Sequence, residues 1–194
     1  DLLRSNLGID KDAFIIGIVA TLRSWKGHRY LISAFNQFSN KSSKLLIVGD
    51  GPQWDALHSL VENLGLQNRV IFTGRQDNIA EGLNTMDIFC LPSYANEGVP
   101  QALMQSQACG IPAITTLNGS INEAVIPGET ALIVEPQDSK AILNALESLH
   151  DDKQRLFSMS ESAQKHARDH FSRQQMIDKM LQVFSNALAN NVVK

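Results

Sequence analysis

Arg23, Lys26 and Gly27 fall within one short stretch, and His28 follows directly. A guanidinium offers a planar fork of donors and an ammonium a point charge, so together they suit a phosphate-bearing ligand. Solvated surface cations are the competing reading. A second stretch runs Glu97-Gly98-Val99-Pro100. Pro100 fits the first turn of a helix, where its missing N–H costs nothing, and the free N–H groups of that turn form an anion site. Glu97 would stand beside it as an acceptor for ligand hydroxyls, or would merely complement the helix dipole. Gly98 allows a close backbone approach or an unusual φ. A third stretch, Gly74-Arg75-Gln76-Asp77, would let a flat ligand group lie against the main chain, or is an ordinary turn.

These stretches need elements to bring them together, and the hydropathy pattern supplies them. Apolar runs over 14–20, 44–48, 69–72, 87–91, 112–115 and 131–134 read as strands buried on both faces. Helix-period segments alternate with them over 28–38, 53–64, 79–84, 100–108 and 139–149. Six strands alternating with helices predict an α/β, Rossmann-like, doubly wound parallel sheet with helices on both faces. Residues 1–194 read as one domain, with no linker or repeat. All three stretches then follow strands, at the carboxyl edge where such sheets bind ligands. Two extra C-terminal helices are expected over about 153–168 and 173–189. Apolar Met176, Met180, Val183, Phe184 and Leu188 need a covering surface: this sheet, or a further lobe that the sequence lacks.

Other chemistry is excluded or weak. The net charge of −3 over 194 residues argues against a nucleic-acid scaffold. Hydrophobic residues at 43% and charged residues at 19% argue against disorder. No apolar run reaches the roughly 20 residues that span a bilayer. Cys90 and Cys109 are too few for a disulfide framework and wrongly spaced for zinc, so a reducing, cytoplasmic setting is the default. Asp10-x-Asp12 has metal-bridging spacing but precedes the first strand, at the wrong edge. His166 and His170 read as surface histidines, and Trp54, Met86 and Met104 as core gap-fillers. No Gly-x-Gly-x-x-Gly follows the first strand, which disfavours an oxidoreductase. The chain opens on Asp1, so it is expected to be a fragment.

Taken in order, Arg23-x-x-Lys26-Gly27, Leu46-Ile47-Val48-Gly49-Asp50-Gly51-Pro52, Arg69-Val70-Ile71-Phe72-Thr73-Gly74, Asp87-Ile88-Phe89-Cys90-Leu91-Pro92-Ser93 and Glu97-Gly98-Val99-Pro100 carry a resemblance. The chain resembles the C-terminal, donor-binding domain of retaining glycosyltransferases of the GT-B fold, over nearly its whole length. The resemblance implies a nucleoside diphosphate sugar as donor, no metal, and an acceptor site on an absent N-terminal domain. It also implies a glycan or lipid-linked acceptor, as in bacterial lipopolysaccharide or surface polysaccharide synthesis. Any membrane contact would be peripheral, at the inner face, through the absent lobe. Catalytic roles would fall to Glu97, Arg23 and Lys26. Donor binding would fall to Gly27, Gly74, Arg75, Glu97, Gly98, Val99, Pro100 and Gln105.

Two positions depart from the family pattern. The family's second glutamate, on the donor ribose, is here Gln105. Its diphosphate arginine stands where this chain has Thr21, with Arg23 as a substitute. The isolated fragment is expected to fold and bind donor weakly without turnover. A nucleotide-sugar epimerase and a non-catalytic nucleotide-sugar-binding module are the alternatives.

Overall fold

A computed structural model describes residues 2–191. The elements run α1 (Leu2–Asn6), β1 (Ile15–Val19), α2 (His28–Gln37), β2 (Lys44–Val48), α3 (Trp54–Asn63), β3 (Val70–Gly74), α4 (Ile79–Leu83) and β4 (Ile88–Leu91). They continue through α5 (Gln101–Ala108), β5 (Ala113–Thr115), β6 (Ala131–Ile133), α6 (Ser139–Asp151), α7 (Lys153–His170) and α8 (Arg173–Asn191). The six strands form one sheet in the order β3-β2-β1-β4-β5-β6. Every pairing is parallel. This is the Rossmann-like layout that the alternating pattern predicts, with the order reversing between β1 and β4.

The apolar runs become strands because both faces are covered. Ile15, Ile16, Ile18, Leu45, Leu46, Ile47, Ile88 and Phe89 are fully buried. On one side Leu31, Ile32 and Phe35 of α2 pack into the same core, and Leu146 and Leu149 of α6 join them. Met86 is buried against β1, and Trp54 and Met104 pack at the core margin, as gap-fillers should.

Several expectations are corrected. Three short elements carry too little periodicity to be read from sequence: α1, a 3-10 turn over Ser24–Lys26 and another over Ile121–Glu123. Arg4 of α1 donates to the carbonyls of Ala13 and Thr85, which ties α1 to the amino edge of the sheet. The strand expected over 69–72 runs instead from Val70 to Gly74, so Gly74 ends the strand. His166 is half-buried, and neither ring nitrogen has a hydrogen-bond partner among the described residues.

The last helix does not lie on the sheet. Met176, Met180, Leu181, Val183, Phe184 and Leu188 of α8 are all at least half exposed. Among the described residues no helix is long and apolar enough to cross a membrane.

Candidate functional site

The carboxyl ends of β1, β2 and β3 are knitted together by backbone hydrogen bonds. The Gly49 N–H donates to the Gly74 carbonyl, the Ala20 N–H to Val48 and the Leu22 N–H to Asp50. Above this edge opens a cleft of about 660 Å³. Its floor and near wall are Thr21, Gly49, Asp50 and Gly51, and Arg75 and Asp77 stand on a second wall. The third wall is the N-terminal part of α5, through Gln101, Ala102 and Gln105.

The first turn of α5 is open to a ligand. Pro100 is the N-cap of α5, one residue before the helix where sequence placed it inside, and no side chain caps it. The first N–H groups of a helix have no partner within it, so they face the cleft with the positive end of the dipole. Glu97 therefore does not cap α5. Gln105 lies one turn further on, its side-chain amide without a hydrogen-bond partner among the described residues. The structure thus brings Gln105, Arg75 and the α5 start to one cleft.

Lys26 and Glu97 meet beside it. Lys26 Nζ donates to Glu97 Oε1 at 2.6 Å, across 71 residues of sequence. The Lys26 side chain is 20% exposed and that of Glu97 only 5%, so the carboxylate depends on this partner. Two glycines set the geometry. Gly27 has φ +81°, and a Cβ there would lie 2.2 Å from the Pro92 carbonyl oxygen, so the Lys26 loop can press directly on the end of β4. Gly119 has φ +61°, and a Cβ there would meet the Glu97 carbonyl oxygen at 2.0 Å. The Ser120 N–H donates to that same carbonyl, which fixes the Glu97 backbone. Gly119 has no chemical signature in sequence and was missed.

Gly98 does not do what its residue type suggested. Its φ is not positive and nothing lies within 4 Å of a Cβ built there. The left-handed residue of this loop is Asn96, at φ +56°. Val99 is exposed and lines no part of the cleft. Gly74 has φ +68° with open space around it, so it serves the turn out of β3.

Arg23 lies outside the cleft wall, where Thr21 stands instead. Its guanidinium sits over the Trp25 ring, 5.5 Å from the centroid. Asp10 and Asp12 lie before β1, at the opposite edge of the sheet. Among the described residues Glu147, His150 and Asp151 have metal-like spacing. Their atoms are already engaged by Ser39, by Asn40 and by one another.

His28, the first residue of α2, is 2% exposed, and neither ring nitrogen has a hydrogen-bond partner among the described residues. Burial, and secondly the Lys26 charge, push its pKa down to about 4. The folded protein therefore holds this imidazole neutral. The unfolded chain binds the extra proton between about pH 6.5 and 4, so stability present above that window is lost as pH falls through it. The expected loss from this group is about 3 kcal/mol. Urea unfolding of wild type and His28→Leu should give ΔG curves that diverge across this window, with the wild type falling faster on acidification. Parallel curves would show that His28 is not held neutral.

With this geometry in place, comparison with known proteins is informative. The chain is 29% identical over 190 residues to N-acetyl-alpha-D-glucosaminyl L-malate synthase of Bacillus anthracis, covering 97% of this chain and 50% of that protein. It superposes on Anabaena Alr3699/HepE in complex with UDP-glucose with a TM-score of 0.89 and 27% identity, covering 95% of this chain and 52% of that one. The C-terminal domain of a glycosyl transferase group 1 family protein (LpcC) from Francisella tularensis shares the fold, at a TM-score of 0.75 and 22% identity. That match covers 82% of this chain and 87% of that domain. This chain thus spans about half the length of the first two proteins. Residues 1–166 match the glycosyl transferases group 1 family, and the chain belongs to that family.

Proposed function

We propose that this chain is the donor-binding half of a glycosyltransferase that moves a sugar, with retention, from a nucleoside diphosphate sugar to an acceptor. The observation that carries this is the convergence of three features at the carboxyl edge of the sheet. They are the uncapped α5 N-terminus, the Lys26–Glu97 pair and the Gln105 amide. The similar Anabaena protein holds UDP-glucose, which supports the donor class.

In this reading the base and ribose occupy the cleft, with the base against Gly74 and Arg75 and a ribose hydroxyl donating to the Gln105 amide oxygen. The diphosphate lies between the α5 N-terminus and Lys26. Departure of the leaving group builds negative charge on the diphosphate, and prepositioned positive charge stabilises it without a metal. Glu97 orients the donor sugar through its hydroxyls while holding Lys26 in place. The transition state is oxocarbenium-like, as in glycoside cleavage generally. The acceptor is a glycan or lipid-linked glycan of bacterial lipopolysaccharide or surface polysaccharide synthesis, the route that the sequence resemblance implies. The relative named for joining N-acetylglucosaminyl to L-malate supports a second reading, a small hydroxylated acid. The rest of the active site belongs to the other half of the protein, which in this reading also covers the apolar face of α8. Transfer of labelled sugar by the full-length protein, and not by residues 1–194, is the expected result. It separates a transferase from an epimerase or a binding module.

The Gln105 role is directly testable. Gln105→Leu should weaken UDP binding by about 1 kcal/mol, the value of one lost hydrogen bond. Gln105→Glu should keep or tighten it, since a carboxylate accepts more strongly. Calorimetric titration with UDP checks both, and unchanged affinity in Gln105→Leu would remove the ribose contact.

A further inference from the structure

Beside the cleft lies a second surface that the donor reading does not use. The Tyr94 N–H donates to the Trp25 carbonyl at 2.8 Å, joining the loop after β1 to the loop after β4. The Tyr94 ring packs edge-on against Tyr30 with centroids 6.1 Å apart and planes at 85°, so its orientation is fixed. Trp25 and Tyr94 are both part-exposed, and neither lines the nucleotide cleft. Arg23 is exposed, stacks on Trp25, and makes no ion pair among the described residues. Trp25 precedes Lys26, and Tyr94 lies in the loop that ends at Glu97. The aromatic surface therefore borders the same ion pair as the donor site.

We propose that Trp25, Tyr94 and Arg23 form a subsite for an acidic sugar, a pyranose bearing a phosphate or a carboxylate, on the acceptor side of the reaction. This rests on the reading of the cleft as the donor site. Rigid aromatic faces accept the apolar face of a sugar ring at low entropic cost, and the indole N–H and phenol O–H, which have no partner among the described residues, can meet its hydroxyls. A guanidinium already oriented by stacking presents its fork to an oxyanion in two-pronged geometry. Lys26 does not fill that role, because it is committed to Glu97 and, in the donor reading, to the diphosphate. The proposal also explains why Arg23 is absent from the cleft wall: its place is on the other substrate.

The test uses the 194-residue chain, whose fold recurs in a separately solved C-terminal domain. The chain has two tryptophans, so in a Trp54→Phe background the emission reports on Trp25 alone. Calorimetry on the unsubstituted chain gives the same affinities without that change. Glucose 6-phosphate, glucuronate, glucose, inorganic phosphate and UDP are titrated separately. One or both acidic sugars should quench Trp25 saturably and bind at least about tenfold tighter than glucose or inorganic phosphate. The tighter of the two identifies the anionic group. Arg23→Ala should weaken that binding by about tenfold or more and leave UDP affinity unchanged. No saturable quench by either acidic sugar would overturn the proposal. Equal affinity for glucose or for inorganic phosphate would also overturn it. So would a loss of UDP affinity in Arg23→Ala matching the loss for the sugar, which would return Arg23 to the diphosphate. A chain that binds acidic sugars but not UDP would instead sink the donor reading, and with it the acceptor assignment.

Discussion

On the proposed donor reading, Lys26→Ala is expected to lower kcat of the full-length enzyme by about 10²-fold or more, because it would remove a charge aimed at the leaving diphosphate. It should also destabilise the fold, which an exposed lysine would not. The Glu97 side chain is only 5% exposed and its partner stands at 2.6 Å, so removing the ammonium leaves a buried carboxylate unpaired. The expected cost is about 2–3 kcal/mol, and urea unfolding of the 194-residue chain measures it. Glu97→Gln in the same background should recover much of that loss, since an amide needs no counter-charge, while restoring no rate. A double-mutant cycle thus separates the pair's structural part from its part in turnover. If Lys26→Ala unfolds like wild type, the ion pair is an incidental surface contact. If kcat/KM is also unchanged, the diphosphate lies elsewhere.

Gly27→Ala should have a large effect on the fold, as should Gly119→Ala, whose Cβ would lie 2.0 Å from the Glu97 carbonyl oxygen. The Gly27 φ of +81° is costly for a residue with a Cβ, and that Cβ would sit 2.2 Å from the Pro92 carbonyl oxygen. Backbone cannot yield as a flexible side chain does, so a loss of about 3 kcal/mol or more is expected. Gly74→Ala is the control. It has a similar φ of +68° but nothing within 4 Å, so only the conformational cost of about 1 kcal/mol applies. Equal losses for the two variants would mean that the Lys26 loop does not press on β4. If Gly27→Ala folds at all, its β1 and β4 loops should separate, and nucleotide affinity should fall with them.

The contrast between these glycines shows what sequence could carry. The strands were legible because β1, β2 and β4 are buried on both faces, so Ile15–Val19, Leu45–Val48 and Ile88–Leu91 are continuous apolar runs. Their alternation with helices left few topologies, all with parallel neighbours. The cleft was legible in outline, because Arg75 follows β3 and Gln105 lies in the helix after β4, both at the carboxyl edge. The pairing of Lys26 with Glu97 was not. Both were chosen as site residues, but a contact across 71 residues depends on how two loops meet over the sheet. For the same reason Gly98 is misjudged from sequence and Gly119 is not legible there at all. A glycine's type says what it permits, and only its neighbours say what it must avoid. Gly98 faces open space, and Gly119 faces the Glu97 carbonyl. Arg23 likewise has the chemistry for a diphosphate, yet it sits over the Trp25 ring and does not line the cleft. The α8 helix reads as amphipathic, yet Met176, Met180, Leu181, Val183, Phe184 and Leu188 stand exposed rather than packed on the sheet.

The most direct test of the donor reading is backbone amide NMR of the 194-residue chain, titrated with UDP and, in parallel, with ADP and GDP. The account predicts saturable shifts for at least one nucleotide, concentrated at Gly49–Gly51, Arg75–Asp77 and Gln101–Gln105, and extending to Lys26. The absence of saturable binding by all three would contradict it. So would shifts centred on Asp12, Asp87 and His150, at the amino edge of the sheet.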